Sequence, residues 1–136
     1  MARGTKGGYY YYDRSPKYVC VVLYDFDARS WQLKPVHKSW LEQHVIVPSY
    51  SGDLSRVVLT GFATRKEFRE WEFADQDDAQ EYNDATATAR AYSAYGYLNA
   101  RAVRDIAVED SEVRSTGPDE EAHGFNRSVM VEAFYY

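Results

Sequence analysis

Two carboxylates, Asp25 and Asp27, close a run of apolar residues and are the first candidates for chemistry in this 136-residue chain. Side chains two apart on a strand face the same way, so this pair suits acid/base work or magnesium binding. A second acidic set, Asp75, Asp77 and Asp78, could join them, although acids at a helix start already complement the helix dipole. The histidines offer less. His37 and His44 are seven apart and His123 is distant, so the i, i+4 zinc pattern is missing. Cys20, the single cysteine, sits between valines and reads as a small buried hydrophobe. One cysteine allows no intrachain disulfide. Gly4, Gly7 and Gly8 precede any regular element, so they cannot cradle phosphate at a helix start. No serine occupies a nucleophile elbow, and the acidic spacing does not fit a calcium loop. The expectation is therefore no metal, no cofactor and no enzyme. A carboxylate-dependent hydrolase using Asp25 and Asp27 stands as an alternative.

The element that must carry Asp25 and Asp27 is the run from Lys17 to Asp27, rich in β-branched and aromatic residues. It predicts a strand buried on both faces and placed centrally in a sheet. Tyr18, Cys20, Val22, Tyr24 and Phe26 would face one way, and Val19, Val21 and Leu23 the other. After a turn at residues 27–30, Trp31 to Leu33 is expected to add a short strand. Ser39-Trp-Leu-Glu42 fits a capping box for a brief helical turn. His44 to Val47, stopped by Pro48, is expected to pair as a hairpin with a strand from Arg56 to Phe62. Glu67 to Ala74 reads as a strand. Arg69 to Asp75, leading into a helix, resembles the strand-then-helix step of an RNA recognition motif over fewer than ten residues. It lacks that motif's basic, glycine and second aromatic-strand positions.

The principal helix is expected from about Gln76 to Tyr95, capped by Asp75 and stopped by Gly96. Its apolar stripe would be Ala79, Tyr82, Ala85, Ala89, Tyr92 and Tyr95. A strand around Asn99 to Val108, a long exposed loop from Glu109 to Gly124 and a last strand from Ser128 to Tyr136 complete the chain. The fold class is α+β, a mainly antiparallel sheet of about five or six strands with one principal helix on a face.

The chain carries a net charge of −5 and is 16% aromatic, with 13 tyrosines. Its acidic balance argues against nucleic-acid binding. No run of about 20 apolar residues is present to span a bilayer, and no apolar leader is visible in residues 1–8. The expected location is cytoplasmic or within an assembled virion, without secretion by a classical signal.

Residues 1–16 read as a flexible Gly/Tyr-rich arm, and residues 17–136 as one domain. Four consecutive tyrosines, Tyr9, Tyr10, Tyr11 and Tyr12, form an edge strand or order against another surface, because alternate rings face opposite ways. Partner binding is favoured and assigned to Arg3, Lys6 and these four tyrosines, since exposed rings are costly in water. The functional expectation is a non-enzymatic structural or assembly subunit of a larger complex. Its concrete form would be a phage capsid, connector or tail component, oligomeric or part of an assembly of protein subunits. A small acidic inhibitor or regulator of a host enzyme is the other alternative.

Overall fold

The structure, a computed structural model, describes residues 8–114 and 126–136. The long apolar run forms β2 (Tyr18–Tyr24), and it follows β1 (Gly8–Ser15), which pairs with it antiparallel. Tyr9 to Tyr12 thus lie in a strand of the sheet, inside the stretch expected to be a flexible arm. Next come α1 (Pro35–Leu41), a wide π-helical turn (Glu42–Ile46) and α2 (Val47–Tyr50). Then follow β3 (Leu54–Thr64), α3 (Gln76–Asn99), β4 (Ile106–Val108), β5 (Glu112–Arg114) and β6 (Ser128–Tyr135).

The six strands make one sheet in the order β1-β2-β6-β3-β4, with β5 also pairing β3. Pairing is antiparallel among β1, β2, β6 and β3, and parallel where β4 and β5 join β3. The fold is α+β with a mostly antiparallel sheet and one main helix, as the alternation of the apolar runs predicts. β6 arrives last and inserts between β2 and β3, so both central strands are covered on each edge. The helices α1, α2 and α3 pack on one face. There Val19, Val21, Leu23, Val57, Leu59, Val129 and Val131 meet Trp40, Leu41, Ile46, Ala91, Ala94 and Leu98.

Phe26 departs from its expected face. Asp25 adopts a left-handed backbone (φ 66°), which ends the strand and swings Phe26 into the helix-side core. The bend is pinned by Arg127: its Nε donates to the Phe26 carbonyl (2.6 Å), and its own carbonyl accepts from the Phe26 N–H (3.0 Å).

Residues 44–47 are helical, not a strand, and no hairpin forms there. Proline in a helix removes one donor and crowds the carbonyl four residues back. Pro48 stands four after His44, and the helix widens over Glu42–Ile46 just before it. The orphaned His44 carbonyl accepts instead from the Tyr135 hydroxyl (2.5 Å) at the end of β6. Residues 31–33 form no strand, and Glu67 to Ala74 holds only a short 3-10 turn at Glu70–Glu72. The likeness to an RNA recognition motif falls with that strand. Gly96 does not stop α3, which runs to Asn99 and shortens the following strand to Ile106–Val108. Within the expected long loop, Glu112–Arg114 is the strand β5; residues 115–125 lie outside the described residues.

The inward face of α3 is also not the expected one. Ala79, Asn83, Thr86, Ala87, Arg90, Ala91, Ala94 and Leu98 are buried, while Tyr82 and Tyr92 point to solvent. The reason is closeness. A Cβ on Gly61 of β3 would stand 1.9 Å from the Ala87 carbonyl oxygen, so the helix backbone rests on the sheet where no ring fits. No described helix is long and apolar enough to cross a membrane.

Candidate functional site

The loops after β2 and β3 and the start of α3 gather at one end of the sheet. What fixes them is the polar part of the buried α3 face. Arg90 is fully buried, and its five N–H donors all find acceptors. Nε donates to the Ser30 carbonyl (2.8 Å), Nη1 to the Phe62 carbonyl (3.0 Å) and Nη2 to the Asp27 carbonyl (3.1 Å). The remaining two go to the Glu67 carboxylate, Nη1 to Oε2 at 2.8 Å and Nη2 to Oε1. Glu67 is equally saturated. Its oxygens also accept from the Thr64 N–H (2.8 Å) and the Arg29 N–H (2.9 Å). A buried ion pair is tolerable only when geometry and extra hydrogen bonds offset desolvation, and here every donor and lone pair is used.

Two more contacts hold the loop after β3. The Asn83 amide accepts from the Phe68 N–H (2.9 Å) and donates to the carbonyls of Phe68 (3.0 Å) and Arg65 (3.3 Å). Arg29 donates through Nε to the Glu67 carbonyl (2.7 Å) and through Nη2 to the Glu72 carboxylate. That hydrogen bond keeps the exposed Glu72 carboxyl below the usual carboxylate range.

Between this braced loop, the first turns of α3 and β5 lies a cleft of about 250 Å³. Arg65, Phe68, Glu70, Gln80, Asn83 and Asp84 are among its walls. One guanidinium, two carboxylates and two amides around an aromatic ring make a surface of both signs. Such a surface suits a short ligand carrying amino and carboxyl groups.

The expected site residues fall elsewhere. Asp27 pairs with Lys34 (3.0 Å) and Asp25 faces Arg127 (3.9 Å), and neither lines the cleft. Both lie past the end of β2, so the shared strand face that would have aligned them does not exist. Tyr11 turns to the helix side, against Trp40 (ring centroids 6.4 Å) and His44 (6.5 Å). Tyr10 lies on the opposite face against Tyr24, and burial pushes its phenol up. Tyr9 and Tyr12 are exposed, Tyr12 at a β-bulge. Arg3, Lys6 and His123 lie outside the described residues.

His37 is buried: its Nδ1 accepts from the Lys34 N–H (3.1 Å), so Nε2 donates to the Tyr24 carbonyl (2.8 Å). Burial likewise pushes the Cys20 thiol up. Among the described residues no three His, Cys, Asp or Glu side chains are grouped so as to hold a metal ion. Sequence reading missed Arg90, Glu67 and Asn83. The available signal was Asn83, Ala87, Arg90, Ala91 and Ala94 on one helical face, an alanine stripe with polar members.

No protein-family model matches the chain, and no curated protein does. Solved structures do. The OmpA-like domain of FopA1 from Francisella tularensis superposes with a TM-score of 0.67 at 17% identity, covering 98% of this chain and 84% of that one. The periplasmic domain of Helicobacter pylori MotB gives 0.63 at 16% identity, covering 98% and 87%. The cell wall anchor of the type VI secretion system (T6SS) of Pseudomonas aeruginosa gives 0.60 at 14% identity, covering 96% and 89%. What the chain shares with these proteins is a fold. The expected cytoplasmic or virion location is overturned by these likenesses, which are to an OmpA-like domain, a periplasmic domain and a cell wall anchor. That expectation rested on an absence, the missing apolar leader, whereas the fold is a positive observation. None of the three is a virion component, and the phage reading gains nothing from them.

Proposed function

We propose that this chain is a non-enzymatic structural domain of the cell envelope that docks on the bacterial cell wall. The observation that carries this reading is the likeness, over nearly the whole chain, to three envelope domains, one of them a cell wall anchor. The cleft beside the braced loop is where docking takes place. Its mixed charge suits the peptide part of the wall polymer, peptidoglycan, which offers amino and carboxyl groups together. Arg65 receives a carboxylate, and Glu70 and Asp84 face an amine.

The test is co-sedimentation of the purified chain with purified cell-wall sacculi. The chain is expected in the pellet, displaced by soluble wall peptides, and Arg65→Glu is expected to shift it to the supernatant without lowering its melting temperature. A chain that stays in the supernatant at low salt with intact sacculi overturns the reading.

A further inference from the structure

Arginine over aromatic rings is a habit of this chain. Arg14 stands over Tyr11 (4.4 Å to the ring centroid), Arg29 over Phe68 (4.6 Å), Arg56 over Phe134 (5.0 Å), Arg101 over Tyr97 (3.7 Å) and Arg114 over Phe62 (3.9 Å). One aromatic group departs from it. Phe73 and Tyr82 stack at 5.2 Å with planes 24° apart, and Phe68 completes a three-ring cluster, 5.2 Å from Tyr82 and 6.3 Å from Phe73. Tyr82 is 53% exposed, and Trp71, two residues before Phe73, is 79% exposed. Among the described residues no cation is set over Trp71, Phe73 or Tyr82.

The surroundings have the charge that such a cation would meet. A shallow groove of about 400 Å³ runs along Phe73, Asp78, Glu81, Tyr82 and Ala85. From Glu70 to Ala89 the chain has seven carboxylates and no Lys, Arg or His. Asp77 and Asp78 lie in the first turn of α3, where the dipole absorbs part of their charge. Glu81 and Asp84 lie beyond it. Among the described residues, only Glu72 of the seven is in an ion pair, with Arg29. Arg90, the basic residue that ends the stretch, is committed to Glu67.

We infer that the groove formed by Phe73, Tyr82, Asp78 and Glu81 is a docking surface for a lysine- or arginine-rich segment of a partner protein. The rings take the cationic side chains on their faces, and the carboxylates neutralise them. This surface does not use Arg65 or Gln80, and the inference stands whether or not the chain binds cell wall.

The probe is a fluorescently labelled peptide of alternating lysine and serine, titrated with the full chain and followed by anisotropy at low and moderate salt. Glutamine–serine and glutamate–serine peptides serve as controls. The basic peptide alone is expected to bind, and more weakly as salt rises. Tyr82→Leu and Phe73→Leu keep apolar volume but lose the aromatic face, and each is expected to weaken binding roughly threefold, the worth of one exposed cation–π contact. Asp78→Asn with Glu81→Gln is expected to weaken binding and flatten its salt dependence. Binding of the basic peptide that is indifferent to both leucine variants is charge attraction alone and overturns the inference. Equal binding of the glutamine peptide, or no binding at low salt, overturns it too. Should Tyr82→Leu fail to fold, Phe73→Leu decides.

Discussion

Replacing Arg90 by Met tests the brace at the loop end of the domain. The substitution leaves the buried Glu67 carboxylate with only the N–H groups of Thr64 and Arg29. It also strips donors from the carbonyls of Ser30, Phe62 and Asp27. Breaking a buried ion pair from one side costs about 3–5 kcal/mol, because a charge stays behind without its partner. A domain of this size has about 5–15 kcal/mol in all, so the variant should lose a large share of its stability. Glu67→Met should cost about as much, since it strands a guanidinium with no exposure to water. The double variant Arg90→Met with Glu67→Met removes both charges and should be much less damaged than the sum of the two, by at least about 2 kcal/mol. The assay is urea unfolding of the four proteins at neutral pH, with unchanged slopes required for comparison. Single variants that each lose under about 1 kcal/mol, or a strictly additive double variant, would refute the claim that this pair braces the site.

Three other outcomes follow from the packing. Burial holds the His37 imidazole down to about 4 from its ordinary 6.5. The unfolded chain therefore takes up this proton near pH 6.5 and the folded one only near pH 4, so about 3 kcal/mol of stability is lost as pH falls through that window. His37→Gln should flatten that part of a stability-versus-pH curve, and the same slope in both proteins argues against it. His44, also lowered by burial, adds loss of the same sign. Gly61→Ala forces a methyl into the Ala87 carbonyl, and overpacking of about 1–3 kcal/mol or more should lower the melting temperature. Asn83→Ala removes the three hydrogen bonds that clamp Phe68 and Arg65, and amide exchange at Phe68 should accelerate well before global unfolding.

The sheet was legible because its strands announce themselves. β2, β3 and β6 are β-branched runs; β2 is buried on both faces, and burial alternates along β6. Asp75 was legible as the cap of α3, where it accepts from the Asp77 N–H (3.0 Å). The helix through residues 35–50 was not. Pro48 looks like a stop until Tyr135, far along the chain, supplies the hydrogen bond that the proline displaces. Nor was the true face of α3. Apolarity favours turning Tyr82 and Tyr92 inward, but Gly61 brings the helix too close to the sheet for rings. The vacated face is taken by Thr86, whose hydroxyl donates to the Tyr82 carbonyl one turn back, and by Asn83 and Arg90, which are satisfied by loops distant in sequence. Arg69, Trp71 and Phe73 alternating with Phe68, Glu70 and Glu72 suggested a strand, yet Phe68 and Phe73 are loop residues brought to Tyr82.

The same closeness explains why the candidate site sits where it does. A helix lying flat on a sheet through alanines contributes little apolar volume at its first half, so that end cannot be held by a greasy core. Arg90 and Asn83 replace it with hydrogen bonds to backbone, and these are directional where apolar contacts are not. The loop after β3 is therefore fixed in one shape before any ligand arrives. Fixing a residue's backbone costs about 1–2 kcal/mol, and here folding has already met that cost. A ligand entering the cleft beside Arg65 and Phe68 has less ordering to do, and its affinity rises accordingly. Stability and the proposed docking at this end of the molecule consequently rest on the same buried polar groups.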